Sequence, residues 1–319
     1  MGDVASTRSE ANAQLRRLLE DRGFGENGNV LPVLVSSLNN SLNTLSTQLY
    51  SKPTHFLLEL IQNADDNVFH RGVIPRLHLS LYQKDGKAIF RSDCNEIGFT
   101  FQQLDALTRI GGSTKKAADG YKGYIGEKGI GFKSVFKVAD LVRVASGCYE
   151  FKFDARKTIG MMLPRPSKFP EGDRLKNNTQ FLLELKRKED YTYIKDDLRN
   201  IKPEIFLFLQ NLEQLDITID DKRKIYKHQS NACGSKLGGE TAIISETTDK
   251  RTETTKYLIE RQTVEDLPSD PRRDTVAASE VVVAFPIKDQ STPIVESQQI
   301  FAFLPVQNHG FKVILTPLM

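Results

Sequence analysis

The stretch Gly126 to Phe136, "GEKGIGFKSVF", holds three glycines, two lysines and a serine between Gly126 and Ser134, the make-up of a loop that wraps a phosphate. It is not a P-loop, which needs G-x-x-x-x-G-K-[ST]: Gly126 and Gly131 have the spacing, but Phe132 stands before Lys133 and Ser134. Nor is it the dinucleotide fingerprint G-x-G-x-x-G, because Ser134 occupies the place of the third glycine after Gly129 and Gly131. Taken alone, the stretch is equally a glycine-rich turn between two elements, and its neighbours must decide.

Upstream lies "THFLLELIQNADDN", Thr54 to Asn67. On a helix, Leu57, Leu60, Ile61 and Ala64 fall in one sector and make a buried stripe, while Glu59, Asn63 and Asp66 fall on the opposite side. A polar stripe is most often a solvated face. This one carries two carboxylates and an amide with no lysine or arginine among them, and asparagine is a mediocre helix former. Such a stripe can hold a hydrated magnesium ion through an oxygen ligand and present a carboxylate to a water.

Around these two motifs the periodicity changes several times. Residues from Val33 onward read as a helix. "RLHLSLYQKDGKAIFRSD" alternates at Leu77, Leu79 and Leu81, turns at Asp85-Gly86 and returns through Ile89 and Phe90, a β-hairpin. The turn "DCNEIGF" follows, then a short helix from about Thr100 to Ile110 and a loop containing Ser113, Thr114 and Lys115. Beyond the glycine loop, strands are expected around Val142, over Tyr149 to Phe153 and over "TQFLLELK", then a helix starting near Pro203 and a strand from Leu215 to Ile219.

Composition bounds the class. The 319 residues are 39% hydrophobic and 27% charged, with a formal net charge of +3, which is ordinary for a globular chain and gives no argument for nucleic acid or an anionic membrane. Cys94, Cys148 and Cys233 are widely spaced and without C-x-x-C pairing, so neither a disulfide framework nor a zinc site is expected. No apolar leader or membrane-length run is visible. The expected location is intracellular, cytoplasmic or nuclear.

The order of parts resembles the Bergerat ATPase fold of the GHKL superfamily: a helix with E-x-x-x-N, a hairpin, a turn ending in Gly-Phe, the segment to G-x-x-G-x-G-F, then a strand carrying a threonine. That superfamily joins type II topoisomerases, the ninety-kilodalton heat-shock chaperone, histidine kinases and the MutL mismatch-repair proteins. "ELIQNADDN" and "IGEKGIGFKSVF" carry the resemblance, and their wording is most similar to the sacsin and NO VEIN-type group of large proteins.

The resemblance implies a fold, ligands and roles. The fold is an α/β sandwich, a mixed and mainly antiparallel sheet with helices on one face. The ligands are ATP and Mg²⁺, with slow ATP hydrolysis in a chaperone-like module. Glu59 is implied as the general base, Asn63 as the Mg²⁺ ligand, and Asp66 as a group close to the ribose or a supporting network. Gly126, Gly129, Ile130, Gly131 and Phe132 close the lid, their backbone N–H groups meeting the phosphates at the start of a helix near Phe132. Lys133 adds positive charge, Ser113, Thr114 and Lys115 stand at the lid's edge, and Thr179 supports the carboxylate that recognises adenine.

One motif departs from the pattern. The superfamily has D-x-G-x-G where this chain has "DCNEIGF"; alignment on Gly98 puts Cys94 at the aspartate and Glu96 at the first glycine. Asp93 or Asn95 is then the expected adenine anchor.

The expected organisation is a polar N-terminal tail or short peripheral helix over 1–29, the ATP-binding domain over 30–220, a charged linker or insert over 221–280, and the start of a transducer-like β-rich domain over 281–319, cut short at "FKVILTPLM". Protein clients or self-association through the lid are the expected partners, without nucleic acid or membrane. Two other function classes compete: a nucleotide-binding interaction module without turnover, and, more weakly, a histidine kinase-like sensor. The sensor lacks a helical phospho-acceptor histidine upstream of the site.

Overall fold

Leu77, Leu79 and Leu81 are fully buried at the centre of a large sheet in the computed structural model of the chain. The structure describes residues 4–24, 30–48, 54–109, 131–170, 172–231, 240–265, 279–288, 292–298, 301–302, 304–305 and 312–315. The hairpin consists of β1 (Arg76–Lys84) and β2 (Lys87–Cys94). Asp85 and Gly86 connect them with φ of 51° and 73°, the left-handed pair that matches the twist of a two-residue hairpin.

The other strands are β3 (Ala139–Ser146), β4 (Tyr149–Asp154), β5 (Arg165–Pro166), β6 (Thr179–Leu185), β7 (Gln214–Ile219), β8 (Lys222–Asn231), β9 (Glu240–Thr248), β10 (Thr252–Val264), β11 (Ser279–Lys288) and β12 (Thr292–Pro293). Their order is β12-β11-β10-β9-β8-β7-β1-β2-β6-β3-β4-β5. β1 and β7 pair parallel, and the other pairs along this path are antiparallel. The protein is therefore α/β with one large, mixed, mostly antiparallel open sheet and few helices.

Five α-helices are described: α1 (Arg8–Asp21), α2 (Pro32–Gln48), α3 (His55–Asp65), α4 (Phe101–Thr108) and α5 (Lys188–Asn200). α3 is the helix with the two faces read above. It buries Phe56, Leu57, Leu60, Ile61 and Ala64, and Phe56 meets Phe90 of β2 edge to face at 5.2 Å, a favoured aromatic geometry. α4 begins with a full capping box between Thr100 and Gln103, which satisfies two of the backbone donors left free at a helix start.

Four expectations change. The helix expected from Pro203 is only a five-residue 3-10 turn, Pro203–Leu207. The α-helix lies earlier, as α5, on a narrow stripe of Asp190, Ile194 and Leu198, with Arg187 forked onto the Asp190 carboxylate. The segment beginning near Phe132 is also 3-10, Gly131–Lys137. Much of the stretch expected as a charged linker forms β8, β9 and β10. Tyr226, Ala242, Ile244, Tyr257 and Ile259 are buried there, and the lysines and threonines between them hide the alternation. β11, expected to open a second domain, pairs with β10 in the same sheet. In the N-terminal stretch, α1 is capped by Thr7 and buries Ala11, Leu15 and Leu18.

Candidate functional site

The polar stripe of α3 meets the described end of the glycine loop. Glu59, Asn63 and Asp66 are all half-buried, and Asp66 is the C-terminal cap of the helix. The Glu59 side chain is 13% exposed, with Oε1 3.2 Å from Nε2 of His55 one turn earlier. A Cβ added to Gly131 would stand 1.9 Å from Glu59 Oε2. Glycine at this position leaves the space that the carboxylate occupies. Two motifs far apart in sequence thus close on one another, and the stripe is not simply a solvated face.

Phe132 fixes the loop end to the core, with its ring 5.3 Å from Phe181 and 5.8 Å from Phe153. Lys133 was expected to add charge for phosphates, but its side chain is turned inward. It is 4% exposed, and Nζ donates to the carbonyls of Leu107 and Met161 at 2.7 Å each. The rings of Phe132 and Phe153 lie 5.5 and 5.1 Å from it. Burial, with a smaller push from Arg22, brings its pKa down from 10.5 to about 7. A neutral amine still has two N–H groups for two carbonyls, so this geometry serves either protonation state. Lys133 ties α4 and the 159–163 segment to the 3-10 turn.

That amine gives the protein a pH signature. Between about pH 7 and the ordinary lysine value near 10.5 the unfolded chain binds one proton more than the folded chain, so stability rises with pH through that window. The slope is at most about 1.4 kcal/mol per pH unit. Urea midpoints of the protein and of Lys133→Met, followed across the window, are expected to differ in slope, the variant being flatter. Equal slopes would assign the dependence to another group.

The turn after β2 holds the remaining candidates. Asp93 is buried and engaged inside the protein: Arg91 Nε reaches both its oxygens at 2.8 and 2.9 Å, and Gln180 Nε2 donates to Oδ1 at 2.6 Å. Asn95 bridges backbone, accepting from Arg76 N at 2.7 Å and donating to Ile74 O at 2.9 Å. Gly98 has φ of +100°, and a Cβ there would come within 3.2 Å of Gly147 N, so the turn needs glycine twice over. Thr179 is Cα partner to Cys94 across the β2–β6 pair, and its hydroxyl lies 2.6 Å from that of Ser146. Ser146 Oγ in turn accepts from Phe99 N at 2.8 Å.

The group that sequence reasoning passed over is Glu96. It is 2% exposed, and its Oε1 has no hydrogen-bond partner. Burial raises its pKa from 4.5 to about 7, against the opposing pull of a hydrogen bond from Thr179. The turn is held to the end of α3, since Ile97 N donates to Val68 O at 3.0 Å and Asn67 hydrogen-bonds the Cys94 thiol.

Ser113, Thr114, Lys115, Gly126, Gly129 and Ile130 lie outside the described residues. A separate cavity of about 490 Å³ lies among α1, α2 and α4, lined in part by Leu18, Arg22, Leu34 and Met162; none of the expected site residues lines it. Cys94 and Cys148 are free thiols. Among the described residues no helix is long and apolar enough to cross a membrane.

Fold and site together define an α/β protein in which one large sheet carries a carboxylate-bearing helix against a glycine turn. The chain matches no family model. It is similar to Protein NO VEIN of Arabidopsis thaliana, 30% identical over 305 residues, a match that covers 87% of this chain and 10% of that protein. The chain therefore spans about a tenth of the length of the curated relative that it matches.

Proposed function

We propose that this chain is a Bergerat-type α/β unit that binds Mg²⁺-ATP and hydrolyses it slowly, within a chaperone-like ATPase module of the sacsin and NO VEIN kind. The observation that supports this reading most is Gly131 seated directly on the Glu59 carboxylate. It brings the described end of the loop suited to phosphate against the carboxylate suited to water.

The residues present fit a magnesium nucleotide. Glu59, held beside His55, would orient a water and take its proton as that water attacks the γ-phosphorus and the bond to the ADP oxygen breaks. Asn63 lies one turn further along α3 and would offer its side-chain oxygen to Mg²⁺. Bound Mg²⁺ would neutralise charge on the phosphates. Gly131, without a Cβ, leaves the room in which the Glu59 carboxylate sits.

Calorimetric titration with ATP, with and without Mg²⁺, tests the reading. The parental protein is expected to bind ATP in a Mg²⁺-dependent way, and Asn63→Ala to bind about 10–100-fold more weakly, the size of loss typical when a metal site loses a supporting group. Undiminished affinity in that variant would remove Asn63 from the site. Failure of the parental protein to bind any nucleotide would overturn the reading as a whole.

A further inference from the structure

The cavity of about 490 Å³ among α1, α2, α4 and the 159–163 segment stands apart from the Glu59 site. Native interiors are close-packed, with few voids larger than a water molecule, and a space of this size is in the range that holds small organic ligands. Most of its wall is apolar, with Leu18 from α1, Leu38 from α2, and Ile159 and Met162 from the 159–163 segment. Ile159 is buried there at φ of +50°, a conformation that a β-branched residue rarely takes, and its N–H donates to Asn39 Oδ1 at 3.2 Å. Leu34 also lines the cavity although it is 58% exposed, and so marks its mouth.

One corner of the wall is charged. The Arg22 side chain is 16% exposed, and its Nη2 donates to Asp105 Oδ1 at 2.9 Å and to the Asp105 carbonyl at 3.3 Å. Its Nη1 is buried without a hydrogen-bond partner, a rare condition for a buried polar group. Asp105 is shared, since its Oδ2 also lies 2.7 Å from Nη2 of Arg109. The other acid at the cavity, Asp21, is paired with Arg17 at 3.7 Å. Two guanidinium groups thus divide one carboxylate, and Arg22 is near enough to Lys133 to help lower the pKa of that amine. The corner holds more positive charge than its acids balance and a donor that has no acceptor.

We propose that this cavity is a binding site for an aliphatic carboxylate, its chain lying against Leu18, Leu38 and Met162 and its carboxylate taken by Arg22 and Arg109. The planar fork of a guanidinium matches a carboxylate, and burial of the chain supplies affinity that an exposed ion pair alone does not. A neutral head would leave the spare charge unanswered, and a cationic head would be repelled. The inference is independent of the nucleotide reading, because none of the residues proposed to hold the nucleotide lines the cavity.

Calorimetric titration with decanoate, below the concentration at which it forms micelles, tests the proposal. Decanoate is expected to bind saturably at a single site. Decanol, which lacks the charge, and butyrate, whose chain is too short to cover the walls, are each expected to bind about ten-fold or more weakly. Arg22→Met, which leaves Asp105 to Arg109, is expected to lose about ten-fold or more of the decanoate affinity and to keep that for decanol. Leu34→Trp, which narrows the mouth from an exposed position, is expected to weaken both ligands. Circular dichroism verifies that each variant folds; if Arg22→Met does not, Arg109→Met, a change at a side chain that is 61% exposed, is read in its place. Absence of saturable decanoate binding, equal parental affinity for decanoate and decanol, or decanoate affinity undiminished in either folded variant overturns the proposal.

Discussion

Glu59→Ala is expected to lower ATP turnover by about 10²–10⁴-fold, the usual contribution of a positioned general base, while Mg²⁺-dependent ATP binding stays near the parental affinity. The split follows from when the carboxylate acts. On the proposed reading it would touch the attacking water in the transition state and not the bound nucleotide, so its removal would raise the barrier and spare the ground state. The structure adds a second handle, because the carboxylate's place depends on Gly131. In Gly131→Ala the new Cβ would lie 1.9 Å from Oε2, so the side chain must swing away from its position beside His55. Turnover should fall in that variant too, by less than in Glu59→Ala, since a flexible carboxylate can find another rotamer. Single-turnover rates and titrations on the same samples separate the two effects. Parental turnover in Glu59→Ala would remove Glu59 as the base. Tight nucleotide binding with no measurable turnover in the parental protein would favour an interaction module over an ATPase.

The parts of this site differ in how readable they were, for physical reasons. The α3 stripe was legible because helical periodicity sets Glu59, Asn63 and Asp66 apart from Leu57, Leu60, Ile61 and Ala64 whatever surrounds the helix. The hairpin was legible from strict alternation and Asp85-Gly86. The seat of Glu59 on Gly131 was not, since nothing local in either motif encodes a contact between them. Lys133 misled because a lysine beside glycines suggests an anion, and only the fold shows two carbonyls and two rings around its ammonium. Glu96 was passed over because it aligned at a position expected to be glycine. Its signal in the sequence is slight: a glutamate between Asn95 and Ile97, just before Gly98 and Phe99. β8 to β10 read as a linker because lysine, threonine and glutamate fill the positions between the buried ones, and α5 drew no assignment because only a few apolar residues mark its buried side.

The largest stability effect is expected at a residue with no part in the chemistry. Asp65→Ala should destabilise the folded protein by about 3–5 kcal/mol, since several buried backbone donors lose their acceptor together and each one left unpaired costs about 1–3 kcal/mol. Asp65 is fully buried at the end of α3. Its Oδ1 accepts from Asn211 N at 2.9 Å and Leu212 N at 2.8 Å, its Oδ2 from Gln210 N at 2.8 Å, and its own carbonyl from Asn211 Nδ2 at 2.8 Å. Without the carboxylate, three backbone donors lose their acceptors at once, and buried donors left unpaired cost far more than an average hydrogen bond returns. The same segment leads into β7, where Glu213 N and Gln214 N both donate to Pro75 O at 3.0 Å, next to the parallel pairing of β7 with β1. Asp65 thus joins the helix that carries Glu59 and Asn63 to the parallel seam between β7 and β1. Asp65→Asn is the finer probe. Its amide oxygen can still serve Asn211 N and Leu212 N, but its NH₂ then faces Gln210 N, donor against donor, so a loss of about 1–3 kcal/mol is expected. Urea unfolding of both variants gives the ranking, with Asp65→Ala the less stable. If Asp65→Ala lies within about 1 kcal/mol of the parental protein, water must reach the 210–212 amides, and the anchoring assigned to this carboxylate is wrong.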